Sequence, residues 1–549
     1  METCRAWALA LCFILLVQRT GLVRGQGGGS DNPMLYPAVS AIGTPNWAEL
    51  KSANGIKFSN RHNHASCMYT PPGSKSPRLW VTGGKVEKYQ RYDMIYSVKQ
   101  ADVWYSEPDV TFDIALGQNW QQMQLMTGDF YAQNADVVQP GKIAPWFQRF
   151  GHTLTAYDSN GDGFNDMMLL MGGFAPMAMN DIWVTVDGSH WTFHEAPWPG
   201  RGWHSTVVNN GTLYVMGGSP FTNDVWRLES IKKVNRTVDP LTRASFSPYT
   251  YESKWKQLDD APWAPRAGMH VVSQWYWNFT GPASAVTFRR ARDPTRVPES
   301  ELAVQRIVLV GGYGGWQTTD PKFDGMFTRG DVWTCTNGTD WVLLNDSAIP
   351  GRAWQGMTVF TRDTQINAVT PSMFDASLAA GTLAPPRIWI FGGAYVGGTT
   401  KTTGITLQLK GWTDALWSRD GVTWTQVNFQ EGAGIRGAYD NFVKFYSSQL
   451  WSKTMINGQS QYLGLWGQTL EMFNNTLILI AGDKTGAGTM TSTTYGSLNG
   501  ILCDRLGVVC SGAGVCGPQN RGCICNPGTG LIGEYCDVPC SSGNCKWPV

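Results

Sequence analysis

The stretch "GRGWHSTVVNNGTLYVMGGSPFTNDVWRL", residues 200–228, holds three landmarks in a fixed order. An arginine, Arg201, opens a β-prone run, HSTVV. A second run, LYVM, is apolar and stops at the pair Gly217-Gly218. A third, led by Asp224, carries Trp226. An apolar run halted by glycine reads as a buried strand whose end needs a positive φ angle or a close backbone approach.

The landmarks recur along the chain. Apolar strands end in Gly-Gly at Gly84, Gly173, Gly218, Gly312 and Gly393, and a weaker copy, "LILIAGD", ends at Asp483. Short acid-led strands follow the first five and carry Trp104, Trp183, Trp226, Trp333 and Trp417. A turn and a second tryptophan come next, at Trp120, Trp191, Trp255, Trp341 and Trp424. Asp187-Gly188, Asn337-Gly338 and Asp420-Gly421 fit two-residue or slightly longer hairpin turns. A first strand precedes each Gly-Gly strand, as in "NRHNHASCM", "QRFGHTLTA", "PRAGMHVVS" and "GRAWQGMTV". A sixth unit has strands near 464–473 and 474–483 and a third near Tyr495, but lacks its last tryptophan strand. "TPNWAEL" (44–50), with Trp47, is the missing piece.

This order resembles the kelch repeat, a four-stranded blade of a β-propeller. The resemblance implies an all-β fold, a six-bladed kelch-type β-propeller over 44–502. A strand from the far end of the chain would close the ring and remove exposed sheet edges. The tryptophans are expected to fill the wedge between diverging blades. Gly173 and Gly218 lie 45 residues apart, a nearly bare blade, whereas the other intervals run from 81 to 94. The extra length falls at 86–100, 121–145, 228–252, 280–304, 361–386 and 430–462, polar segments of the kind that carry binding on a rigid scaffold.

The ends of the chain read differently. Arg5 followed by the apolar run 7–17 and a small-residue site before Gln26 reads as a secretory signal over 1–25, and 26–43 as a linker. No later run is long and apolar enough for a membrane helix. Asn-x-Ser/Thr sequons stand at Asn210, Asn235, Asn278, Asn337, Asn345 and Asn474, in keeping with a secreted, extracellular glycoprotein. Cysteines crowd the tail at Cys503, Cys510, Cys516, Cys523, Cys525 and Cys536, and six cysteines alone allow fifteen pairings. Their spacing, with Gly533 before the last, resembles the EGF-like module. That resemblance implies such a module over 503–538, with Cys503 joined to Cys516, Cys510 to Cys523 and Cys525 to Cys536. Its usual aromatic after the fifth cysteine and its calcium-binding acidic tripeptide are missing. In the tail, 539–549, Cys540 and Cys545 are free to pair with each other. Cys67 and Cys335 fall in blades one and four, too far apart for disulfide geometry, and are expected as buried thiols.

Basic and acidic residues number 43 and 42, so no cationic footprint for nucleic acid exists. One acidic loop stands out: Asp158-x-Asn160-x-Asp162-Gly163-x-x-Asp166. Alternating hard oxygens about a glycine suit Ca²⁺. The loop resembles those of integrin-type propellers, which implies side-chain ligation by Asp158, Asn160, Asp162 and Asp166 and a carbonyl ligand from Phe164, in a structural role. The alternative is an ordinary polar turn.

Arginines open five first strands, Arg61, Arg149, Arg201, Arg266 and Arg352, with Gly464 or Leu463 at that point of the sixth. They form either a cationic rim for an anionic ligand or a set of structural ties. His62 with His64 and His190 with His194 have metal-compatible spacing but no convergent third ligand. "SRDGVTW" (418–424) looks like a sialidase box short of one residue, and also like a hairpin turn. Galactose-oxidase-like enzymes share the blades, but no ligand set for their copper follows from spacing. The expectation is a non-enzymatic secreted protein that binds an extracellular protein, a glycan or its own copies through its propeller. A carbohydrate-binding propeller or a secreted propeller enzyme is the alternative.

Overall fold

The computed structural model describes residues 46–499 except 51, 75, 92–93, 109–115, 126–143, 176, 236–248, 277–303, 315–327, 361–385, 402–403, 413, 428–451, 457–458, 474–475 and 485–488; beyond 499 it describes only short paired strands. Six antiparallel sheets stand around an axis, and the described residues contain no helix. In chain order the innermost strands are Ala65–Tyr69, Thr153–Tyr157, Ser205–Asn209, His270–Tyr276, Gly356–Phe360 and Thr469–Phe473. Each touches the next, and the sixth touches the first, so the inner strands form a closed circle. The chain is an all-β six-bladed propeller.

Within each blade the second strand is the buried one. Arg78–Thr82, Met167–Met171, Thr212–Met216, Val304–Tyr313, Arg387–Phe391 and Thr476–Lys484 carry the apolar runs, flanked on both sides by paired strands. Burial on both faces explains why these segments read as continuous apolar runs and not as alternations. In the sixth sheet Asn46–Glu49 pairs antiparallel with Thr489–Asn499. The wedges between blades are filled as expected: Trp80, Trp120, Trp183, Trp191, Trp198, Trp263, Trp389 and Trp424 are fully buried.

The glycine pairs join one blade to the next. The N–H of the second glycine donates to the carbonyl of the residue opening the following blade: Gly84 to Arg149, Gly173 to Arg201, Gly218 to Arg266, Gly312 to Arg352, Gly393 to Leu465 and Gly482 to Arg61, all 2.8–2.9 Å. Two sequence readings shift here. In the sixth blade Ala481 (φ 52°) and Gly482 (φ 115°) form the pair, one residue before the expected end. Leu465, not Leu463 or Gly464, stands where the other blades place arginine, because its carbonyl receives the Gly393 N–H.

The hairpin turns are longer than two residues. Val184 faces Thr192, Thr334 faces Val342 and Trp417 faces Thr425. Only the glycines, Gly188, Gly338 and Gly421, take positive φ. In each turn the glycine N–H donates to a side chain three residues back (Thr185 Oγ1, Cys335 Sγ, Ser418 Oγ, each 2.8 Å), and the tryptophan Nε1 donates to the glycine carbonyl. Asp420 Oδ1 accepts from Val422 and Thr423 N–H, so the sialidase-like heptad is this repeated turn. Of the long insertions, the described parts of 228–252 are sheet, since Val225–Asn235 and Tyr249–Gln257 continue blade three outward. Lys85–Arg91 with Met94–Lys99, Ala394–Lys401 with Gly404–Gly411, and Ser452–Ile456 with Gln459–Leu463 form separate hairpins.

Gly218 tests the joint. Its φ is 109°, and a Cβ there would come within 2.8 Å of His204 Cβ. Gly218→Ala is expected to cost more than about 2 kcal/mol in chemical denaturation, combining left-handed strain with a clash. Gly211→Ala, at φ 70° with open space around it, should cost about 1–2 kcal/mol from strain alone.

Candidate functional site

The five arginines do not form a free cationic rim. Arg61, Arg149, Arg266 and Arg352 are 0% exposed and Arg201 2%. Each guanidinium grips the acid that leads its blade's third strand through two parallel bonds of 2.6–2.9 Å: Arg61 to Asp102, Arg149 to Asp181, Arg201 to Asp224, Arg266 to Asp331 and Arg352 to Asp414. Nη1 also donates to the first glycine of each pair, as Arg149 does to Gly172 O at 2.8 Å. The first four acids additionally accept a tryptophan Nε1, from Trp104, Trp183, Trp226 and Trp333. The structure thus shows the structural-tie reading, because fork-to-fork pairing uses the donors an anionic ligand would need. Burial raises the Asp224 and Asp331 carboxyls, but Arg201 and Arg266 with the surrounding donors more than offset it and hold both below the usual range.

The residues between each arginine and its strand enclose one end of the axis. Asn63, Gly151, Trp203, Gly268, Trp354 and Gly467 all have φ between 50° and 66°. Each N–H donates to the carbonyl of its counterpart in the preceding blade: Asn63 to Gly467, Gly151 to Asn63, Trp203 to Gly151, Gly268 to Trp203, Trp354 to Gly268 and Gly467 to Trp354, at 2.7–2.9 Å. These six bonds make a closed circle. Side chains and glycines alternate around it, and each side chain lies where a glycine Cβ would be: Trp203 over Gly151, Trp354 over Gly268, Asn63 over Gly467. Above the circle, Phe174, Trp203, Trp354 and Trp466 make successive ring contacts of 4.7–5.7 Å, with Tyr313 against Trp354 and Phe221 against Tyr313. Trp203, Tyr313 and Trp354 are half-buried, while Phe221 and Met177 are exposed.

Below the circle lies a cavity of about 420 Å³ lined by the inner strands. Its first tier is His64, His152, His204, Met269, Gln355 and Gln468, one per blade. His64 Nε2 meets Thr469 Oγ1 at 3.0 Å, His152 Nε2 meets Thr82 Oγ1 at 2.9 Å and His204 Nε2 meets Thr153 Oγ1 at 3.1 Å. Burial, helped by Arg61 and Arg201 respectively, pulls His64 and His204 down to about 3; burial also drives His62 and His152 well below 6.5. Further along the cavity Ser66 Oγ donates to Glu471 Oε1 at 2.6 Å. Burial pushes the Glu471 carboxyl up to about 7. Sequence reading missed Glu471, because a lone acid in a strand has no spacing signature.

The side chains of the expected calcium loop take part in its own hydrogen bonds. Asp158 accepts from the N–H groups of Gly161 and Gly163, both at 2.7 Å. Asn160 donates to Asp162 Oδ2, Asp162 Oδ1 accepts from Phe164 N–H, and Asp166 is turned back onto Ser159. The Phe164 side chain is exposed. The histidine pairs also diverge: His62 bonds Asn63, His190 bonds Asp187 and His194 bonds Ser253. Among the described residues no three His, Cys, Asp or Glu side chains are placed to hold a metal ion. Cys67 and Cys335 are buried free thiols, as expected. Asn210, Asn235 and Asn337 are exposed and Asn345 half-buried; Asn278 and Asn474 lie outside the described residues, as do the side chains of Cys503, Cys510, Cys516, Cys523, Cys525, Cys536, Cys540 and Cys545.

No protein-family model matches the chain, and no curated protein matches it. Among solved structures it is similar to one described as "Structure of YjhT", with 13% identity, a TM-score of 0.40, and coverage of 80% of this chain and 95% of that one. A likeness at this level carries no argument on function.

The buried imidazoles set a pH dependence. His64 and His204 fall to about 3, and His194 and His270 to about 4. The unfolded chain therefore binds protons that the folded one refuses, from about pH 6.5 downward. The four histidines outweigh the one raised carboxyl, Glu471, which acts in the opposite sense between about pH 4.5 and 7, so net stability should fall toward pH 4, before the depressed Asp224 and Asp331 titrate. Urea denaturation across pH 4–8 checks this; a flat profile would contradict it.

Proposed function

We propose that the chain is a secreted, glycosylated binding protein. Its six-bladed ring would be of the kelch type, clasped by the 44–50 strand, with an EGF-like module after it, and its work would be recognition of an extracellular protein or a second copy of itself, without catalysis. The observation that carries this reading is the axial face, where Met177 and Phe221 are exposed beside half-buried Trp203, Tyr313 and Trp354. Aromatic rings held rigidly by a closed backbone circle suit interface hot spots, since they present large area at little entropic cost. The same rings favour the second reading, a sugar stacked on the face. The exposed sequons and the hairpin of Gly514–Cys516 with Cys523–Cys525 are consistent with the glycosylation and module assignments.

Light scattering and a glycan array on the secreted protein test the reading. Self-association or a bound glycan is expected, weakened about tenfold or more by Phe221→Ser with Met177→Ser, in the range of hot-spot losses. A monomer that binds no glycan, or binding indifferent to the double variant, would overturn it.

Calcium belongs to the same reading, as a structural ion of the 158–166 loop. A carboxylate oxygen that accepts one backbone N–H keeps another lone pair for a cation, so the turn geometry of Asp158 and Asp162 is compatible with loading. Calorimetric titration should give one Ca²⁺ per chain, abolished by Asp158→Asn with Asp162→Asn. Absence of binding would leave the loop a hydrogen-bonded turn.

A further inference from the structure

Blade four departs from the repeat at its outer edge. In its fourth strand, Val342–Asn345, Val342 is 57% exposed and Leu343 42%. Among the described residues they are the only exposed large hydrophobics that lie in a strand. This strand pairs with Thr328–Cys335 on one side and, among the described residues, with no strand on the other. Leu344 packs against Gly421 of the next blade's turn, whose neighbour Val422 is 43% exposed. Blades two and five follow the equivalent tryptophan with Thr192 and Thr425, and the outer strand of blade three carries Glu252, Lys254 and Lys256. An uncharged apolar edge is a template for pairing with another chain, and native proteins guard such edges.

Two of the six sequons bracket this one strand: Asn337-Gly338-Thr339 in the turn before it and Asn345-Asp346-Ser347 at its last residue. The turn is the repeated one, in which Asp187 and Asp420 accept the N–H groups two and three residues on. Asn337 Oδ1 does the same for Thr339 and Asp340, both at 3.0 Å. Aspartate serves that turn equally, so the turn itself does not ask for asparagine with threonine two residues on. Asn337 and Thr339 are both exposed. Asn345 Oδ1 accepts from Ser347 N–H at 3.0 Å, and among the described residues nothing bonds its Nδ2. An asparagine amide has two N–H donors and a carbonyl oxygen. A sugar on Nδ2 replaces one N–H only, so Asn337 keeps its turn bonds and its donation to Asp340 Oδ2.

Resting on the secreted, glycosylated reading above, we propose that oligosaccharides on Asn337 and Asn345 cover the outer edge of blade four and keep it from pairing with a second copy of the chain. The transfer uses a lipid-linked oligosaccharyl diphosphate as donor. Asparagine Nδ2 gives up one proton and bonds the anomeric carbon, the bond from that carbon to the diphosphate breaks, and the lipid diphosphate leaves with the electron pair. Bare, the strand would meet its own copy antiparallel across a twofold axis, and Val342–Asn345 carries no charge to oppose this. A bulky, hydrophilic chain at each end of a four-residue strand takes the space a second strand would need. This edge is on the outer wall of the ring, apart from the aromatic axial face.

Peptide mapping of the full secreted chain by mass spectrometry tests the modification. Glycan is expected at both Asn337 and Asn345. Glycan at Asn210 or Asn235 with neither of these occupied would overturn the inference and leave the glycosylated reading standing; no glycan at any of the four would overturn both. Light scattering over a concentration series tests the role. Thr339→Ala with Ser347→Ala removes both acceptor sequences and leaves the asparagine turn bonds in place, since those are made to backbone N–H groups. This variant should self-associate at least tenfold more tightly than wild type. Adding Val342→Lys and Leu343→Lys should return it to the wild-type level, whereas adding Phe221→Ser and Met177→Ser, on the axial face, should not. Unchanged association, or an increase that the two lysines leave in place, would overturn the proposal. If the sequon variant is not secreted, enzymatic removal of the glycans from folded wild-type protein decides by the same readout.

Discussion

A ring of separate sheets has no continuous hydrogen-bonded wall, so its integrity depends on the few bonds that cross from blade to blade. Here that bond runs from the second glycine of each pair to the carbonyl of the residue opening the next blade, six times over. Close approach is what demands glycine. A Cβ at Gly173 would meet the His152 backbone N at 2.9 Å, and one at Gly84 would meet His62 O at 3.1 Å. The arginine completes the joint by holding the first glycine's carbonyl and the acid of the third strand at once. A buried ion pair of this geometry adds little net stability over apolar packing, yet breaking it by removing one partner costs about 3–5 kcal/mol. Its value is therefore positional: three strands of a blade are pinned at one point on the axial face.

The closed backbone circle follows from the same geometry. Six joints at equal radius bring six consecutive chain segments to the axis, and a left-handed residue in each lets its N–H reach one neighbour while its carbonyl reaches the other. Three of these residues are not glycine. Asn63, Trp203 and Trp354 each bear roughly 1–2 kcal/mol of left-handed strain. Alternation resolves the crowding, since two adjacent tryptophans would occupy the same space above the circle. The tryptophans are thus fixed by backbone and not by side-chain bonds, and their Nε1 atoms are left without partners.

Much of the fold was legible because repetition exposes it. Gly-Gly after an apolar run, an acid two or three residues before a tryptophan, and a second tryptophan after a turn gave the strand order and the blade count without any structure. The pairing of Arg201 with Asp224, 23 residues away, was not legible. Spacing shows that both recur but not that they touch, so a cationic rim and a structural tie looked alike. Glu471 was invisible for the opposite reason: it does not recur. The acidic loop was readable as a turn and as a calcium site, since the same residues favour both.

The departures from repetition are concentrated where the ring's ends meet. Blade six has Leu465 in place of arginine, Ala481 in place of a first glycine, and Gln468 where three blades have histidine. Blade one meets it through Ser66 and His64, which bond Glu471 and Thr469. The corresponding bonds between blades two and three link Thr155 to Thr206 and His204 to Thr153, neutral groups throughout. A threonine in place of Glu471 would have satisfied this seam as Thr155 does the other, without desolvating an acid. Glu471 is only half-buried, so solvent in the cavity meets part of the cost of its charge, but the propeller's architecture asks for no charge at that point. The acid is therefore a departure that packing does not require, at the one seam where the repeat is already relaxed, on the wall of the axial cavity.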